Sequence, residues 1–80
     1  MRLDKFLKVS RLIKRRTVAN KTCDAENVLV NGRPAKPSYQ VKVGDVLTLS
    51  SSARSLSFKV TAVAENVSKD EAASLYEVIE

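Results

Sequence analysis

The chain has no histidine, no tryptophan, one cysteine, two glycines and two prolines in 80 residues. Each scarcity excludes something. Without histidine the commonest general base is missing. With a lone Cys23, a zinc site would have to be built mainly from carboxylates, a poor match to structural zinc, so no metal or other cofactor is expected. A single thiol cannot close an intramolecular disulfide, the usual staple of small secreted domains. Cys23 has no histidine to activate it and reads as a small core residue. Gly32 and Gly44 are the only glycines and form no phosphate-cradling loop. No apolar run exceeds four residues, so nothing spans a bilayer. Met1 to Ser10 alternates charged with apolar residues where a secretory signal would be continuously apolar. The chain is read as cytoplasmic, and as a binding protein in place of an enzyme.

What is abundant is positive charge. Fourteen Lys or Arg stand against nine Asp or Glu, a net of +5. The distribution is uneven: residues 1–42 carry 11 basic and 3 acidic side chains (+8), and residues 43–80 carry 3 basic and 6 acidic (−3). A basic half on an acidic remainder points to an anionic partner, most simply nucleic acid. Eighty residues make one small domain with a modest core, which buries about 60–65% of the unfolded surface. The apolar fraction of 44% is enough to fold.

Leu3, Phe6 and Leu7 recur at the spacing of an amphipathic helix, with Lys5 and Lys8 on the other side. A second helix is expected at 18–26, capped by Thr17, with Val18, Ala19, Thr22 and Cys23 near its buried side. Val28–Val30 reads as a strand, closed by Asn31-Gly32, two residues that tolerate the positive φ of a type I′ turn. Pro34 and Pro37 bracket an irregular stretch. Strands follow at 46–49 and 56–62, separated by a polar loop over 50–55. Ser68 and Glu71 match a capping box, and Ala72, Leu75, Tyr76 and Ile79 share one stripe, which predicts a final helix at 69–78. The order is α-α-β-β-β-α: an α+β fold with helices on one side of an antiparallel sheet. Opening on Met1 and closing on a helix, the chain is read as complete.

Arg2-Leu3-Asp4-Lys5, Arg16-Thr17-Val18-Ala19, Val28-Leu29-Val30-Asn31-Gly32, Pro37-Ser38 and Val41-Lys42-Val43-Gly44-Asp45 together resemble the S4-like RNA-binding domain. That likeness covers about residues 1–50. It implies two N-terminal helices on a small antiparallel sheet, with a strand and helix completing one domain of residues 1–80 at about 55–78. More narrowly, residues 1–17 and Lys69-Asp70-Glu71-Ala72-Ala73 with Tyr76 resemble the RqcP (YabO) family of bacterial ribosome-associated quality control. The resemblance implies binding to large-subunit rRNA and peptidyl-tRNA on split, obstructed 50S subunits. It also implies support of an RqcH-type partner that adds alanines to the stalled chain. A heat-shock-type S4-like protein on obstructed large subunits, or a generic structured-RNA module, is the alternative. The family pattern has Gly where this chain has Glu26, so the second helix is expected to cap one residue later, on Asn27.

RNA recognition of this kind needs cations on a rigid surface more than base-reading side chains. Arg2 and Arg16 lead, because guanidinium forks suit bidentate phosphate contact and each opens a motif block. Lys5, Lys8, Arg11, Lys14 and Arg15 add positive field, Thr17 sits beside them, and Arg33 and Lys36 extend the footprint near the hairpin. Lone lysines such as Lys42, Lys59 and Lys69 read as solvated. Phe6 and Phe58 read as core, and Tyr39 as packed on the sheet edge. Glu65, Asp70, Glu71, Glu77 and Glu80 are candidates for meeting a protein partner. The chain is expected to act as a monomer.

Overall fold

The computed structural model describes residues 1–51 and 53–79. Two helices open the chain, α1 (Leu3–Val9) and α2 (Arg16–Asp24). Strands β1 (Val28–Val30), β2 (Arg33–Pro34), β3 (Val46–Ser50) and β4 (Ser55–Val60) follow. A short helix α3 (Lys69–Ala72) runs into a 3₁₀ turn (Ala73–Leu75) and then β5 (Tyr76–Val78). The strands form one antiparallel sheet in the order β2-β1-β3-β4-β5.

Strand alternation sorts the side chains. Val28 and Val30 fall on the face that also receives Leu47, Phe58 and Val60, as the pairings Val30↔Leu47 and Leu47↔Phe58 require. Against that face pack Leu3, Phe6 and Leu7 of α1 and Ala19 and Cys23 of α2. Burial pushes the Cys23 thiol up to about 11, with nearby Asp4 and Asp24 adding to the shift, so it stays an unionised packing group. Phe6 and Phe58 are core, as their alternation suggested. Asn31 and Gly32 both take positive φ (+52° and +85°) in the hairpin between β1 and β2. Pro34 sits on the sheet's edge strand, where a missing N–H is tolerated. Across the connection from β3 to β4, Ser51 and Arg54 exchange hydrogen bonds; Ser52 of the predicted loop lies outside the described residues, as does Glu80.

Three local expectations are corrected. The second helix occupies 16–24 and not 18–26. Arg15 is its N-cap, in extended conformation with no side-chain cap, and Thr17 lies inside the first turn. The register follows the stripe Arg16, Ala19, Asn20, Cys23: Ala19 and Cys23 are buried, whereas Val18 is 48% exposed and Thr22 only half-buried.

The final helix stops at Ala72, not 78. Its capping box is present, with Glu71 N–H donating to Ser68 Oγ and Ser68 N–H to Glu71 Oε1. The Ser74 hydroxyl then binds the Glu71 carbonyl at 2.6 Å, an alternative to continuing the helical ladder. Tyr76 and Val78 instead pair with β4, which would otherwise offer an open edge. Tyr76 meets Phe58 edge-on at 5.3 Å.

The third correction concerns Glu26. The left-handed residue ending α2 is Glu26 itself (φ +62°), not Asn27. Glu26 N–H bonds the Cys23 carbonyl and Asn27 N–H the Thr22 carbonyl, the paired bonds of a Schellman ending. Because a β-carbon costs about 1 kcal/mol or more in that conformation, Glu26→Gly is expected to raise stability by roughly 0.5–1 kcal/mol, after Gly's greater unfolded entropy is offset. Urea unfolding at neutral pH measures it.

Candidate nucleic-acid interface

The first turn of a helix leaves four N–H groups without intrahelical partners. In α1 the chain supplies acceptors from a distant loop. Leu3 N–H donates to the Tyr39 carbonyl (2.7 Å) and Asp4 N–H to the Pro37 carbonyl (3.2 Å), while Lys5 N–H donates to Asp4 Oδ1 (2.8 Å). Val41 N–H returns a bond to the Met1 carbonyl, and Arg2 bridges Gln40. The 37–41 segment thus holds the start of α1, and with it Arg2, in a fixed place.

That segment is held in turn by Asp45, which is buried at 8% exposure. Its carboxylate accepts from the Tyr39 hydroxyl (2.9 Å), Lys42 N–H (3.0 Å) and Asn31 Nδ2 (3.1 Å). The bond from Tyr39 raises the phenol's pKa. Tyr39 is half-buried, with its hydroxyl engaged by Asp45, as its sheet-edge reading implied.

Asp4 is the organising group of the basic surface. Its side chain is 3% exposed, on the apolar face of α1 beside Leu3 and Leu7. Arg2 Nε and Nη2 donate to its two oxygens at 3.2 and 3.3 Å. An Arg16 Nη2 lies 3.4 Å from Oδ1, and Asn20 Nδ2 donates to Oδ2 at 3.2 Å. Burial alone raises the Asp4 pKa. Hydrogen bonds from Arg2 and Asn20 and the charges of Arg16 and Arg2 outweigh it and hold the group ionised below its ordinary value. One buried carboxylate therefore draws two arginines from different helices side by side. Each remains almost half exposed, at 46% and 47%. The pair bears more positive charge than Asp4 neutralises, and its outward N–H groups face solvent.

Beside this pair, α2 adds its own donors. No side chain caps it, and its first intrahelical bond runs from Ala19 N–H to the Arg15 carbonyl. The amides of Arg16, Thr17 and Val18 are therefore left at the open helix end, next to the exposed Arg15.

The remaining predicted residues divide into three groups. Lys5 is tied to Glu65 at 2.6 Å, and this bond with the lysine's charge lowers the Glu65 pKa. Lys8, Arg11 and Lys14 line a groove between the end of α1 and residues 65–69. Arg33 and Lys36 line a second groove by the hairpin, with Tyr39, and share no wall with the first. Sequence reasoning missed Asp4 and Asn20 as the groups that orient the arginines. Lys69, read as solvated, is exposed, and it also lines the first groove.

Asp4 and Asp45 both have folded pKa values below the unfolded carboxylate's, Asp45 because its three donors, Lys42 N–H first among them, overcome the raising effect of burial. Their contribution to stability is fully present above the unfolded pKa, near 4. It disappears as pH falls through the folded values. The urea midpoint is expected to be flat from pH 7 to 5 and to drop steeply below pH 4. In an Asp4→Asn, Asp45→Asn double variant that drop is expected to be shallower.

A family model described as the S4 domain matches residues 1–47. The chain is 51% identical over 78 residues to the RQC P-site tRNA stabilizing factor of Halalkalibacterium halodurans, the match spanning 98% of this chain and 89% of that one. It is 46% identical over 79 residues to the protein of the same name in Bacillus subtilis, spanning 99% and 92%. Among solved structures, the fold matches Vibrio cholerae Heat Shock Protein 15, described as trimeric, with a TM-score of 0.91 and 30% identity over 99% of this chain and 81% of that one.

Proposed function

The chain belongs to the S4 domain family and, within it, to the RQC P-site tRNA stabilizing factors, and from that premise we propose that it binds large-subunit rRNA and peptidyl-tRNA on split, obstructed large ribosomal subunits. There it supports the addition of alanines to the stalled chain by an RqcH-type partner. Its work is positional: it holds RNA in place and performs no bond-making of its own. It acts in the cytoplasm as a monomer, with residues 1–80 as one binding domain.

The observation that carries this reading is the Arg2–Asp4–Arg16 cluster in a near-full-length relative of P-site tRNA stabilizing factors. Guanidiniums fixed by a buried carboxylate have already lost much of their rotamer freedom, so less entropy remains to be lost when they take up phosphate. In this reading Arg2 and Arg16 contact phosphate directly, with the open amides of Thr17 and Val18 beside them. Arg15 supplies field, Lys5 is held by Glu65, and Arg33 and Lys36 extend the contact on the hairpin side. Recognition is by RNA shape and phosphate position.

The same residues set against the heat-shock reading give a clear test. Affinity purification of the tagged chain from cells should bring down large subunits carrying peptidyl-tRNA together with the alanine-adding partner. Recovery of large subunits without that partner would favour the heat-shock type. Recovery of neither would leave only a generic RNA binder. Single-round competition of structured RNA against duplex DNA at fixed salt is expected to favour RNA, because the helices of this fold pack onto a sheet and present no recognition helix to a major groove.

A further inference from the structure

The groove at the far end of α1 is built from two stretches more than 50 residues apart in sequence. Lys8, Val9, Arg11 and Lys14 form one wall, and Glu65, Asn66, Val67 and Lys69 the other. We propose that this groove is a second phosphate-binding site for RNA backbone, separate from the Arg2–Arg16 pair, in which Lys69 of the C-terminal segment closes around the strand. The proposal rests on the RNA-binding reading above and adds to it a site and a residue.

Charge is the first argument. The groove gathers four cations, Lys8, Arg11, Lys14 and Lys69, against one carboxylate. That carboxylate, Glu65, is already matched by Lys5 at 2.6 Å. Among the described residues, none of the four cations forms an ion pair. Like charges gathered in one concavity repel one another, and a bound polyanion relieves that repulsion.

Backbone conformation is the second. Arg11 sits in the left-handed region (φ +63°), just past the end of α1, with its N–H on the Lys8 carbonyl. Glycine adopts that conformation without strain. The tight turn past the end of α1 keeps Arg11 in the groove with Lys8, Lys14 and Lys69.

Shape is the third. Val9 and Val67 are half-buried against the core and give the groove apolar surface between its cations. That suits a sugar–phosphate strand, whose riboses need somewhere to lie between phosphates. An acidic peptide is less well served, since two valines offer no anchor pocket. Lys8, the groove residue nearest Arg2 in sequence, lies six positions beyond it, or about 9 Å along the helix at 1.5 Å per residue.

The test uses the full chain and purified large ribosomal subunits, with affinity measured across a salt series. Lys69→Gln is expected to bind about three- to tenfold more weakly and to flatten the slope of log affinity against log salt by a little under one unit. Arg11→Gly should weaken binding similarly while melting no lower than the parent, a combination that a merely structural role for Arg11 would not produce. Unchanged affinity and slope in both variants, with Arg16→Ala still impaired, would overturn the groove and leave the RNA-binding reading standing. Unchanged binding in Arg16→Ala as well would remove that reading. If Lys69→Gln lost polyglutamate binding but kept subunit binding, the groove would be a peptide site and the proposal wrong.

Discussion

Arg16→Ala is expected to bind large ribosomal subunits about 10- to 150-fold more weakly, the equivalent of about 1.5–3 kcal/mol for one charge-assisted phosphate contact. Its stability should hardly change. The Arg16 side chain is almost half exposed, and an ion pair at such exposure contributes only about 0–1 kcal/mol. Asp4 keeps the Arg2 and Asn20 bonds when Arg16 is gone, so no buried charge is stranded. Arg16→Lys is the informative companion. Lysine retains the charge but not the planar fork that faces Asp4 and a phosphate together, so it should recover only part of the affinity. Equilibrium binding and thermal unfolding, measured on the same preparations, separate the two effects.

Asp45→Ala is expected to be strongly destabilising, at about 2–4 kcal/mol. It leaves the Tyr39 hydroxyl, the Lys42 N–H and the Asn31 amide without the acceptor they share, in a part-buried place. For a domain of this size that corresponds to a melting temperature lower by roughly 10–25 °C. The consequence reaches the binding surface. Tyr39 carries the carbonyl that accepts Leu3 N–H, so a loosened Tyr39 loosens the start of α1 and Arg2 with it. Asp45→Asn should recover part of the loss. Its single carbonyl oxygen can still serve Tyr39 and Lys42, but its amide would face the Asn31 amide, whose own oxygen is occupied by Val46 N–H. Thermal melts of the two variants, with binding measured well below the transition, check both statements.

The parts of the fold that sequence resolves are those set by one local rule. The spacing of Leu3, Phe6 and Leu7 gives α1, Asn31-Gly32 gives the hairpin, and Ser68 with Glu71 gives the start of α3. Where two local rules conflict, tertiary pairing decides. Ala72, Leu75 and Tyr76 share a helical stripe, but Tyr76 and Val78 also have strand-forming side chains, and the unpaired edge of β4 settles the competition in favour of β5. Glu26 shows the converse. A carboxylate has no intrinsic reason to be left-handed, yet the Schellman bonds and the onset of β1 two residues later place the bend there.

The candidate site divides in the same way. Arg2 and Arg16 were legible because each opens a recognisable block in a basic stretch. What joins them was present but unread: Asp4 is a carboxylate on the apolar face of a helix, between Leu3 and Leu7, and a charge in that position requires partners. Arg16 and Asn20, four residues apart on the second helix, are those partners. The place of Lys69 in the groove was not legible. Its nearness to Lys8, Arg11 and Lys14 depends on how the segment after β4 returns across the end of α1, which no local pattern encodes.

The most direct measurement is the affinity of the purified chain for large subunits carrying peptidyl-tRNA, beside the same subunits stripped of it, at one fixed salt concentration. Tighter binding to the occupied subunits is expected, with the preference lost in an Arg2→Ala, Arg16→Ala double variant that still folds. Equal affinity for occupied and empty subunits, or a preference that survives the double substitution, would contradict it.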